Sequence, residues 1–158
     1  MDWKKWIATH VRGTPMSLAW LEQAFPIPVA TYGVTLWGPD GTPTRSTKQM
    51  TLANLHAHLE DGTITFSWDY GLTVPGPDMP QIVQVDAGRI VLRAADVIAL
   101  RKLETRIRGP NPRTGEPIDK AIEVHAFYVL EGESLLVIEI MDMKEDFDDA
   151  SRIAVAKG

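Results

Sequence analysis

Side chains able to do chemistry are gathered at four places in the chain. The first is His56-Ala57-His58, followed at once by Glu60 and Asp61. A His-x-His pair chelates a metal when both imidazoles leave the same face, as they do in a strand, where side chains repeat every two residues. In a helix the two rings diverge by about 200°. Thr51 suits an N-cap, Gly62 lies just past the end, and Leu52, Leu55 and Leu59 are spaced three and four apart. These signals predict a helix over 52–60. His56 and His58, the candidate metal ligands, are then histidines on a helix surface, and no metal is expected.

The second place joins Glu123 and His125, two residues apart in a β-type run, with Glu139 inside the apolar run that follows. Turn length decides whether they meet. A three-residue turn puts His125 opposite Glu139. A two-residue turn puts Ala126 there and sends Glu139 to the other face. A carboxylate–imidazole pair could serve as a general base or a pH-sensitive latch. The plainer alternative is a partly buried ion satisfied by a partner or by an oligomer contact.

The third place is basic. From Arg89 to Lys120 eight basic residues stand against four acids, a balance of +4, whereas 121–149 carries nine acids against Lys144 alone. Arg101, Lys102, Arg106 and Arg108 run into the loop that holds Arg113. Such a patch could neutralise nucleic-acid phosphates. It could equally be a solvated helix face, or attract the acidic half across a subunit interface. The fourth place, 141–149, mimics a calcium loop through Asp142, Asp146 and Asp148. Lys144 stands at a ligand position, and the required glycine and terminal glutamate are missing. Acids in the first turn of a C-terminal helix explain it better. Trp3 and Trp6 add a candidate interface, because tryptophan is enriched where proteins meet.

Phosphate-binding glycine patterns, a nucleophile elbow and a zincin motif are all absent, so no cofactor is expected. The chain has no cysteine, which removes disulfides, zinc ribbons and thiol nucleophiles. No apolar run reaches the ~18 residues of a membrane span, and the first residues lack a secretory apolar region. A cytoplasmic protein without membrane contact is expected. Asn54 and Asn111 are the only asparagines and proline is frequent in the loops, a trend shared with heat-adapted proteins. The net charge of −5 disfavours polyanion binding by the surface as a whole.

The elements that must position these groups fit one domain over 1–158, a length that buries a sizeable core. Residues 1–25 read as a helical pair, the second helix opening at Thr14-Pro15. A strand over 29–37 turns at 38–41 into a polar return strand. From 52 to 156 the expected order is helix, three strands, helix (95–108), two strands, helix, with a hairpin turning at Asp86 to Gly88. This predicts an α+β domain: a mostly antiparallel sheet of about six to seven strands with helices packed on it. The element order resembles that of the type III secretion chaperones, which implies a small, acidic homodimer serving a protein partner. The expected function is therefore a non-enzymatic, oligomeric protein with an adaptor- or chaperone-like role. A nucleic-acid-binding protein using residues 101–113, or a metal-dependent or acid–base enzyme using the His/Glu groups, are the alternatives.

Overall fold

The computed structural model describes residues 1–46, 49–73, 81–110 and 115–142. The expected C-terminal helix, the calcium-like acids beyond Asp142, and Arg113 lie outside these residues. Within them the α+β expectation is wrong. The fold is one antiparallel sheet of eleven strands with two short helices, not six or seven strands covered by helices.

Helix α1 (Trp3–His10) forms as the apolar spacing predicts, with the Asp2 carboxylate accepting from the Lys5 amide as its N-cap. Thr14–Pro15 does not open a second helix. It is a short strand, β1, and helix α2 shrinks to Trp20–Ala24. Then follow β2 (Ile27–Trp37), β3 (Pro43–Ser46), β4 (Met50–Glu60), β5 (Thr63–Trp68), β6 (Tyr70–Thr73), β7 (Gln84–Val85) and β8 (Gly88–Arg93). A single 3-10 turn at Ala94–Asp96 leads to β9 (Val97–Pro110), β10 (Pro117–Glu131) and β11 (Ser134–Asp142). The main path across the sheet is β1-β9-β10-β11-β2-β4-β5-β8.

Two expected helices are strands, and each error has a physical cause. In β4, Asn54 adopts a left-handed backbone (φ 53°), and its side-chain amide donates to Asp69 at 2.8 Å. That residue breaks the two-residue alternation as a bulge does. Leu52 and Leu55, three apart, consequently enter the same core cluster, while Ala53 joins the opposite one. A three-residue apolar spacing is the mark of a helix only when the strand is regular. In β9 the register slips beside Ile98, so that Tyr128 pairs with Ala99 and Val129 with Val97. Val97 and Leu100 therefore face one core and Leu103 the other. The expected hairpin at 86–88 is also absent, because β7 pairs with β6 and β8 with β5. With these helices gone, the element order that resembled the secretion chaperones no longer holds.

The sheet curls. Its first core cluster gathers side chains from every main strand between β9 and β8, including Tyr32, Leu52, Phe66, Leu100, Phe127 and Ile138, all nearly or fully buried. Phe66 and Phe127 meet edge to face at 5.4 Å. Each such side chain contributes roughly 1.5–3 kcal/mol by leaving water. Helix α2 covers this inner face, with Leu21 fully buried. Helix α1 lies on the outer face, where Trp3 and Ile7 pack on Ala126, Tyr128, Leu135 and Val137. Between the helices the chain crosses the edge of β9 through β1, pairing Thr14 with Lys102. Gly13, at φ 102°, permits that crossing: a Cβ there would stand 2.7 Å from the Lys102 carbonyl oxygen.

Candidate functional site

The turn between β10 and β11 settles the carboxylate–imidazole question. Glu131 pairs with Ser134, so the turn has two residues, Gly132 and Glu133, with Gly132 at φ 60°. Glu139 accordingly sits opposite Ala126, and His125 opposite Ile140. The two groups face opposite sides of the sheet. His125 is buried on the inner face and stacks on Trp20, with ring centroids 3.8 Å apart. Burial holds its pKa below the ordinary imidazole value; the negative charge of Glu123 opposes that, and Lys102 reinforces it. Glu123 itself stands 3.8 Å from the Lys102 ammonium.

The basic cluster is divided by the same alternation. Lys102 pairs with His125 on the inner face, and Arg101 pairs with Ala126 on the outer. Arg106 and Arg108 both reach the Asp119 carboxylate, at 2.6 and 3.4 Å. His56 and His58 do leave one face of β4, opposite Ser67 and Thr65, because the segment is a strand. Among the described residues no three His, Asp or Glu groups converge to hold a metal. Trp3 is buried against the protein's own sheet, and its indole N–H donates to the Glu133 carbonyl at 2.8 Å.

Trp6 takes a different place. With Trp37 it forms one wall of an open cleft of about 580 Å³ between α1 and the outer sheet face. The two indoles touch at 4.9 Å between centroids, and His10 stacks on Trp6 at 5.1 Å. The floor comes from β10, β11 and β2 through Tyr128, Val137 and Thr35, with Leu103 and Val11 at one side. Glu139, Arg12 and Gly41 complete the lining. A volume of this size suits a small organic molecule or a single side chain of a partner.

The local chemistry of the cleft follows from the fold. His10 hydrogen-bonds the Trp6 carbonyl through Nδ1 at 3.0 Å. A carbonyl only accepts, so Nδ1 carries the hydrogen. The Tyr128 phenol is buried, and burial first, then the Glu139 charge, raises its pKa; Arg101 opposes the shift. It remains a protonated donor at neutral pH. Glu139 and Arg12 are both exposed, and among the described residues neither has a hydrogen bond or an ion pair. Gly33 pairs with Glu139 on β2 and adds no side chain beside it.

Sequence reasoning named Trp6 and Glu139 but for other purposes, and it missed Arg12, Trp37 and Tyr128. The only local signal was the four-residue spacing of Trp6 and His10. Trp37, Tyr128 and Glu139 come from strands far apart in sequence. No protein-family model, curated protein or solved structure matches this chain. No helix among the described residues is long and apolar enough to cross a membrane.

Proposed function

We infer that the protein is a binding protein and that its ligand seats in the cleft between α1 and the outer sheet face. One observation carries this reading: a carboxylate with no hydrogen bond or ion pair among the described residues opens into a concave site walled by Trp6 and Trp37 over Tyr128. Aromatic walls with a few converging polar groups are the usual make-up of a ligand site. Indole faces supply contact area at small conformational cost, and Glu139, Arg12 and the His10 ring supply orientation.

We keep within this proposal the protein partner, the homodimer and the cytoplasmic location expected from the sequence. The cysteine-free composition supports the location. The nucleic-acid alternative is weakened, since Asp119 occupies two of its arginines.

The test is a fragment screen read by two-dimensional NMR. Hits are expected to move the indole N–H signals of Trp6 and Trp37 together and to compete with one another. Hits confined to the inner face, or a screen with none, would remove the cleft from consideration.

A further inference from the structure

The charges of the cleft say more about what it takes. Its lining holds one acid, Glu139, and one permanently charged base, Arg12. No salt bridge joins them, and neither has a hydrogen bond or an ion pair elsewhere among the described residues. They also stand on different elements. Arg12 lies beyond the end of α1, just before Gly13, which approaches the backbone of β9 at Lys102, while Glu139 stands on β11, two strands further on. Two strand spacings amount to about 10 Å of backbone. Both residues line the cleft.

A ligand with a single charge would satisfy one of these groups and be repelled or ignored by the other. A ligand bearing both signs satisfies both. The remaining surfaces define its body. Trp6 and Trp37 form a continuous apolar wall, and Val137 and Leu103 extend it. The protonated Tyr128 phenol offers a donor to a carboxylate. Ammonium lying against indole faces gains a further cation–π attraction.

We propose, resting on the cleft reading above, that the ligand is a free amino acid with a large apolar side chain, its ammonium on Glu139 and its carboxylate on Arg12. A peptide terminus carries only one of the two charges and is a poorer match.

The experiment uses three probes that share the phenyl side chain: L-phenylalanine, N-acetyl-L-phenylalanine, which lacks the ammonium, and L-phenylalanine amide, which lacks the carboxylate. Binding to the full chain is measured by calorimetry and by the Trp6 and Trp37 indole signals. Phenylalanine should bind best, with each one-charge analogue weaker by about ten- to a hundredfold. In Glu139→Gln the acetylated probe should equal phenylalanine; in Arg12→Gln the amide should. Both residues are exposed, so folding is preserved. Equal binding of all three probes at the indoles would overturn the zwitterion assignment and leave the cleft standing. Failure of phenylalanine to bind, while screened fragments still move the indole signals, would overturn it too. Absence of any molecule at the indoles would end both readings.

Discussion

At Asn54 a helix and a bulged strand make opposite predictions. Replacing it with Ala and with Gly separates them by sign. In a helix interior Gly is less favourable than Ala by roughly 0.5–1 kcal/mol. In the structure Asn54 holds φ 53° and is exposed. An Ala there meets the left-handed penalty of about 1–2 kcal/mol, which Gly avoids and Asn tolerates. Gly loses part of that advantage to the extra freedom of its unfolded chain, about 0.4–1 kcal/mol. The balance leaves Gly ahead of Ala by about 1 kcal/mol. Both variants also lose the bond from the Asn54 amide to Asp69, worth about 1 kcal/mol at an exposed site. The expected ranking is therefore wild type, then Gly, then Ala, with Ala about 2 kcal/mol down. In a chain of 158 residues each 1 kcal/mol moves Tm by roughly 2–4 °C. Urea denaturation followed by tryptophan fluorescence reads the difference, provided the m-values agree. Asp69→Ala is the control, since it removes the bond and leaves the backbone of β4 alone. An Ala variant as stable as the Gly variant, or more so, would refute the bulge and restore the helix over 52–60.

Three further outcomes follow from the packing. Phe127→Ala removes a fully buried ring in edge-to-face contact with Phe66 and should cost about 3–5 kcal/mol by chemical denaturation; a loss under about 1 kcal/mol would contradict a shared core beneath the curled sheet. Gly71→Ala should destabilise by about 1–3 kcal/mol, because a Cβ there would stand 2.6 Å from the Thr51 carbonyl oxygen and 2.8 Å from a Leu52 methyl group. A wild-type melting temperature in that variant would show that β6 is not held against β4. His125 governs an acid-side dependence. Its folded pKa is depressed by burial below the ordinary 6.5, so on acidification the unfolded chain takes up the proton first. Stability should fall as pH drops from 6.5 toward the folded pKa, then level off below it. Urea midpoints across that range should show the slope in wild type and a flatter one in His125→Gln; an unchanged slope would place its origin elsewhere.

Several parts of this protein could be read from residues alone because their signals are local. The Asp2 cap and the spacing of Trp3 and Ile7 specify α1 without help from the rest of the chain. The alternation of Ile64, Phe66 and Trp68 specifies β5, and the β-branched runs around His125 and Ile138 specify the β10–β11 pair. Local signals failed where a strand is irregular. Asn54 and Ile98 each shift the side-chain parity of their strand, and a shifted strand carries apolar residues at helical spacing. What corrects that spacing is a partner strand: β2 and β5 for β4, and β10 for β9. The same holds for the candidate site. Turn length placed His125 and Glu139 on opposite faces, a difference of one residue that no composition reveals. The cleft joins Trp6 and Arg12 to Trp37 and to Tyr128 and Glu139, the last two over a hundred positions away, so only the folding of α1 onto the outer face of the curled sheet brings them together. Residue type alone set which side chains could hold a charge or stack on a ring. Register and curvature decided which of them share a space.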